Sequence, residues 1–270
     1  MPSASTTSGW LFPPSTRQVQ CDEKWAFVAK KQCHCQADQP ADAQRGDQWD
    51  HVAYDPEHRL VLSVVCGKRT AAHVRRLMAD FKRRTQGRIL DLITTDDYRP
   101  YRKAIWDIYG RPWAPSRTHR RGRHSPRTYR VPPPELNYAV LHKTRQHGRV
   151  VGLEQRIVLG QPAAVQAVLE RSRGRGQINT ALVERLHATD RHRNARKARK
   201  SYCFSKDWHL HQAATYFSLY SYNFCWPVRT LRTRGHDSHW HPCTPAMAAG
   251  LADHVWSLTE WVTFPSVQPP

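Results

Sequence analysis

Three acidic residues of a strongly basic chain stand where acids can do chemistry. Asp22 lies within QVQCDEKWAFVA, Asp96 closes the apolar run ILDLITTD, and Glu184 sits in NTALVERLHATDRHRNARKARK. A carboxylate in an apolar strand is costly to bury unless it is paired or bound to a cation. Carboxylates from two strands and a helix can converge to hold divalent cations beside a phosphate, while surrounding Lys and Arg hold the nucleic acid. Asp22, Asp96 and Glu184 are therefore the candidate catalytic and metal-binding residues, with two Mg2+ (or Mn2+) ions as the candidate cofactor. Each has a plainer alternative: an edge-strand acid facing water for Asp22, a helix N-cap at Asp96-Asp97, and an exposed pairing acid for Glu184. Alternation along the strand sets Asp22 on the side of Lys24 and opposite Cys21 and Glu23, so Glu23 reads as structural. Asp96 continues the apolar run directly and suits a ligand, whereas Asp97 suits the cap.

Glu184, His187 and Arg191 share one face of a helix, an acid, a polar group and a base in a row. The positive run beyond them makes Arg185, His187, Arg191, Arg193, Lys197 and Lys200 candidate contacts to a nucleic-acid backbone. The whole chain agrees in sign. Its 270 residues carry 42 Lys+Arg against 22 Asp+Glu, a net charge of +20, which favours an anionic polymer as partner. No stretch approaches the roughly 20 apolar residues that span a bilayer, so membrane contact is not expected. The start lacks the pattern of a signal peptide. Seven scattered cysteines then read as reduced thiols of a cytoplasmic protein. Cys33-His34-Cys35 reads as a polar loop, since adjacent ligands do not easily close one tetrahedron.

The positioning elements follow from periodicity. Residues 1–18 are rich in Ser, Thr and Pro and read as a disordered leader. A strand is expected over 17–29, a loop over 30–47, and a hairpin from 49–54 and 60–65 turning at Asp55-Pro56-Glu57-His58. Thr70 caps a helix whose Val74, Leu77, Met78 and Phe81 form one stripe. The run 89–94 reads as a central strand, followed by a helix through Tyr101, Ile105 and Ile108 that stops near Gly110. This order resembles the opening of an RNase H-like fold, a mixed sheet flanked by helices, with the first acid mid-strand and the second at the end of the fourth strand.

Residues 111–134 are Pro-, Arg- and His-rich, and 117–130 read as a basic arm that orders on DNA. A hairpin turning at Gln146-His147-Gly148 and a helix over 162–171 complete the middle, so 111–176 reads as an insertion with a basic loop and an extra hairpin. A helical pattern runs from Ile178 to about Ser205. An aromatic-rich helix follows and ends at Pro227, and a last helix starts at Pro245 with Leu251, Val255, Trp256 and Leu258 inward. The organisation expected is a leader, an RNase H-like domain over 19–225, and a helical extension over 226–270.

QCDEKWAFV, TTDDYRPY, LVERLHATDRHRNAR and SYCFSKDWHLH together resemble the catalytic half of DDE transposases of the insertion-sequence-one family. The resemblance covers about 19–223, interrupted by 111–176. It implies Asp22, Asp96 and Glu184 as the metal-binding triad, Arg185 and Arg191 as basic partners on the helix, and Phe204-Ser205-Lys206 as a closing motif, with Lys206 near DNA. His187 stands where the family commonly has Asn, and the spacing from Asp96 to Glu184 is longer than usual. The implied function is metal-dependent DNA strand cleavage and 3′-OH strand transfer. The implied partners are element ends and target DNA, a homo-oligomer on DNA, and a separate upstream chain for the DNA-reading region that this sequence does not show. A nucleoid-associated, cytoplasmic location goes with them. Two alternatives stay open: a hydrolytic nuclease on the same fold, and a non-catalytic or decayed basic nucleic-acid-binding protein.

Overall fold

The computed structural model describes residues 16–113, 129–172, 176–198, 201–235 and 238–264. Most of the expected leader, residues 117–128 of the basic arm, and Lys200 lie outside the described residues.

Strands β1 (Gln18–Val28), β2 (Gly46–Asp55) and β3 (Leu60–Gly67) form an antiparallel meander. Helix α1 (Ala71–Arg84) begins where the Thr70 side chain accepts a hydrogen bond from the His73 amide, and it buries Val74, Leu77, Met78 and Phe81, the stripe its spacing predicts. Strand β4 (Leu92–Asp96) returns parallel to β1, and α2 (Pro100–Tyr109) follows it. Two three-residue strands, β5 (Arg111–Trp113) and β6 (Tyr129–Val131), pair as an exposed ribbon.

The next hairpin joins the main sheet. Strand β7 (Tyr138–Gln146) runs parallel to β4, and β8 (Arg149–Leu159) pairs antiparallel with β7. The apolar start of β7 is buried from Tyr138 to Leu141, and that burial draws it in beside β4. His147 and Gly148 join the two strands with φ of 49° and 77°, the left-handed backbone that a tight two-residue turn requires. The six strands run β3-β2-β1-β4-β7-β8. An antiparallel meander joined through β1 to parallel β4 and β7, with helices on both faces, is the expected RNase H-like arrangement.

Helices α3 (Pro162–Arg171), α4 (Ala181–Arg193) and α5 (Trp208–Cys225) follow. One face of the sheet packs Val19, Cys21 and Ile93 against α1 and α2. The other packs Val52, Val64 and Cys66 against Leu182, Val183 and Leu186 of α4 and Leu219 and Tyr222 of α5. Burying each such aliphatic side chain contributes roughly 1.5–3 kcal/mol, so both faces of the central strands are anchored.

Helix α4 stops well short of Ser205. Asn194 leaves the helix and accepts a hydrogen bond from the Arg196 amide, and residues Ala195–Lys197 form a single 3-10 turn. The last helix expected from Pro245 is instead two pieces, because Gly250 turns the chain at a φ of 71°. After the paired residues β9 (Thr233–Arg234) and β10 (Trp240–His241) come α6 (Pro245–Ala248) and α7 (Leu258–Thr263), the latter opened by a Ser257–Glu260 capping box. Leu258, expected inward, is exposed, whereas Trp256 packs on Phe224. Among the described residues, no helix is long and apolar enough to cross a membrane.

Candidate metal centre

Strands β1 and β4 are paired from Gln18–Cys21 against Leu92–Thr95, and the pairing stops there. Asp22 follows Cys21 and Asp96 follows Thr95, so the two acids flank the point where the strands part. Beyond it β1 continues along β2, while β4 stays with β7 through Asp96 opposite Leu141. One carboxylate oxygen from each of Asp22, Glu23 and Asp96 lies within 4.8 Å of the others. Among the described residues this is the group of three or more side chains close enough to share a metal ion. It sits beyond the carboxyl end of a parallel strand, where open α/β sheets bind ligands.

Electrostatically the group is under tension. The Glu23 side chain is 1% exposed, and its Oε1 has no hydrogen-bond partner. The His51 Nδ1 lies 3.8 Å from that oxygen and is itself buried without a bond. Burial, then the charges of Glu23 and Asp22, push the Asp96 carboxyl up to about 7. Burial and the same acids raise the Cys21 thiol. The counter-charge is Arg69, whose Nη2 lies 3.1 Å from Glu23 Oε2 and 3.5 Å from Asp96 Oδ2. Its guanidinium stacks over the Tyr98 ring at 4.2 Å, and the Tyr98 hydroxyl donates to its carbonyl at 3.0 Å. One guanidinium thus reaches two of the three carboxylates, Glu23 and Asp96. An all-oxygen donor set with a buried, unbonded oxygen fits a hard divalent cation such as Mg2+ or Mn2+, which would add the positive charge that the fork lacks.

Glu184 lies apart from this group. It is exposed on α4, accepts a hydrogen bond from Thr180 at 2.7 Å, and forms an ion pair with Lys143 of β7. Partial burial pushes its carboxyl up, but the bonds from Lys143 and Thr180 outweigh that and hold it below the usual range. The α4 side chain that does reach the fork is His187, one turn later. Its Nε2 is 3.4 Å from Asp22 Oδ2, though neither ring nitrogen is hydrogen-bonded. Asp97 does not cap α2, whose N-cap position is Arg99 with no side-chain capping bond. Asp97 bonds His142 at 2.8 Å, while Asp96 Oδ1 accepts from the Tyr98 amide at 3.3 Å.

The expected backbone contacts separate into different environments. Lys197 is a correction: its Nζ is buried, 2.8 Å from both Asp50 Oδ2 and His211 Nε2, so it neutralises an internal carboxylate rather than facing solvent. Asp50 also lies 3.3 Å from Lys24, which pairs in turn with Asp190 of α4. Ser218 donates to Asp190 at 2.6 Å, and Ser205 bonds His211 at 2.9 Å. Phe204-Ser205-Lys206 ties the end of β1 to α5: the Ala29 amide donates to the Ser205 carbonyl, Phe204 packs on Phe27, and exposed Lys206 covers the Phe204 ring. Arg185 and Arg193 are exposed, Arg191 is partly buried, and the Arg193 guanidinium stacks on Trp226 at 3.8 Å.

Sequence reasoning missed Glu23, Arg69 and Lys143. For Glu23 the signal was present, since the burial cost that singles out Asp22 applies equally to its neighbour in the same interior strand. Arg69 and Lys143 carry no local signal, because tertiary pairing brings them to the acids.

No protein-family model matches the sequence, and no curated protein matches it. Among solved structures the chain is similar to the Mos1 mariner paired-end complex with Mn, at 16% identity over 38% of this chain and 40% of that one, with a TM-score of 0.22. It is also similar to the Mos1 transposase paired-end complex with the left transposon end, at 15% identity over 39% and 40%, with a TM-score of 0.22. The chain thus spans less than half the length of these solved chains, and a TM-score of that size decides neither fold nor function.

Proposed function

We propose that this protein is a metal-dependent polynucleotidyl transferase of the DDE transposase type, cutting a DNA strand to leave a 3′-OH and joining that end to target DNA. The observation that supports the reading furthest is the fork itself: Asp22, Glu23 and Asp96 crowd together, with a buried carboxylate oxygen left unbonded. Asp22 and Asp96 hold the cations. The third ligand is Glu184, released from Lys143, or Glu23, already in place. The chemistry supplied by Mg2+ or Mn2+ at such carboxylates is activation of an attacking water or 3′-OH and neutralisation of charge on the phosphate. The protein's remaining work is positioning. His187 fixes α4 against Asp22, and Arg69 balances Glu23 and Asp96. Arg185, Arg191, Arg193, Lys200 and Lys206 contact the DNA backbone. Joining needs no covalent enzyme intermediate: one P–O bond forms to the incoming 3′ oxygen as the bond to the departing 3′ oxygen breaks. Element ends and target are the DNA partners, and a homo-oligomer and a separate DNA-reading chain belong to the same reading.

The test is a labelled duplex incubated with Mg2+, followed by a pre-cleaved end offered to target DNA. Asp22→Ala and Asp96→Ala abolish cleavage and leave DNA binding intact. Glu23→Ala and Glu184→Ala then identify the third ligand, since only one of them removes activity. Hydrolysis without a joined product marks a nuclease. One observation favours the binding-only reading: the Glu184 carboxylate is held by Lys143 rather than gathered with the others. Wild-type protein that binds DNA but cuts nothing with either metal establishes that reading instead.

A further inference from the structure

The opposite side of α4 carries a second charged feature. Helical periodicity sets Glu184, His187 and Arg191 on one face and Arg185, Thr189 and Arg193 on the other. The second face closes a cleft of about 210 Å³ with Arg59 from the β2–β3 turn, Arg229 from the segment after α5, and Tyr54 and Tyr222. Four of the lining residues are arginines and none is acidic. Among the described residues, none of the four forms an ion pair with a carboxylate, unlike Arg69, Arg83, Arg84 or Arg156, although the charge of Asp190 is felt at Arg193.

The guanidiniums are partly fixed in place. Arg193 lies 3.8 Å over Trp226 and 5.4 Å from the Tyr222 ring, and Arg59 Nη1 donates to the Pro56 carbonyl at 2.8 Å. Burial raises the Tyr222 hydroxyl, while a hydrogen bond to Tyr54 and the charges of Arg193, Arg59 and Arg185 pull it back, so three cations converge on one phenol. Like charges held together without a counter-ion are unfavourable, and planar guanidiniums match the oxygens of a phosphate. The cleft is smaller than the roughly 300–1,000 Å³ of sites that enclose a whole small molecule. That size suits one phosphate of a strand lying across it.

We propose that this cleft holds a phosphodiester of a DNA strand, at a site on the far face of α4 from the acidic fork. The choice of DNA rests on the function proposed above; the preference for an anion rests on the cleft alone. The test is fluorescence anisotropy with single-stranded and duplex oligonucleotides in EDTA, so that no cleavage intrudes, using the full chain. Arg185→Gln/Arg229→Gln is compared with Arg145→Gln/Arg149→Gln, which removes the same charge from the exposed β7–β8 turn. The cleft variant is expected to bind about tenfold more weakly, and its plot of log K against log salt to flatten by about 0.9 for a duplex or about 0.7 for a single strand, as for one lost phosphate contact. The turn variant changes binding by less than about twofold. Equal losses in the two variants, or no DNA binding by the wild type, overturn the site. Loss of cleavage in Asp96→Ala with this pattern intact supports both proposals, and retained cleavage in that variant strikes only the metal reading.

Discussion

Asp22, Glu23 and Lys24 are consecutive on β1, yet they belong to two regions with opposite electrostatics. Asp22 and Glu23 join Asp96 in a fork where acids outnumber cations and a buried oxygen lacks a partner. Lys24 enters a buried set with Asp50, Asp190, Lys197 and His211, in which each charge meets an opposite one. Burial acts most strongly on Asp50 and acts upward, but Lys197 and Lys24 hold its carboxyl well below the usual range. At Asp96 burial also acts upward, and neighbouring acids add to it. Desolvation is common to both; the sign of the neighbours differs. Matched charges ordinarily hold a fold together, whereas mismatched charges persist where a ligand completes them.

The largest expected contrast is in stability. Asp50→Ala leaves Lys24 and Lys197 buried against each other and should cost about 3–5 kcal/mol, read from urea unfolding midpoints. Asp96→Asn removes one charge from a like-charged group and should leave the midpoint unchanged or raise it. Equal destabilisation by both would erase the distinction between the regions. Lys197→Met comes next. It should lower stability by a few kcal/mol while leaving the salt dependence of DNA binding as in wild type, because its ammonium serves Asp50 and not a phosphate.

Acid titration sharpens the same comparison. The folded pKa of Asp50 lies below its unfolded value of about 3.9, so its stabilisation is complete above about 3.9 and is lost as pH falls through the lower folded value. Wild-type stability should therefore drop below about pH 4, and Asp50→Asn, weaker at neutral pH, should drop less steeply. The smallest effect belongs to Lys143→Ala. Lys143 and Glu184 are both partly solvated, so the change should stay within about 1 kcal/mol. A larger loss would move this pair into the structural class.

Much of the frame was legible beforehand. The stripe Val74-Leu77-Met78-Phe81, the Thr70 cap, the Gln146-His147-Gly148 turn and the apolar strand ending in Asp96 all depend on local chemistry, and local chemistry is what a sequence displays. The proximity of Asp22 and Asp96 was legible because parallel pairing of their strands follows from the element order. What was hidden is tertiary. Lys197 sits in a basic run that looks solvated, and only the fold reveals Asp50 and His211 waiting beneath it. Helix α4 ends before that residue, and the 3-10 turn that Asn194 opens carries Lys197 inward to that pair. Glu184 shares a face with His187 as expected, but nothing in its surroundings along the chain announces Lys143 across the sheet.

The most direct test is Mn2+ binding by the intact protein, followed by thermal unfolding with and without the ion. The fork predicts a rise in stability that approaches about 2.7 kcal/mol at a hundredfold excess over Kd and disappears in Asp22→Asn and Asp96→Asn. An equal rise in wild type and both variants, or none in wild type, would contradict a metal centre at these acids.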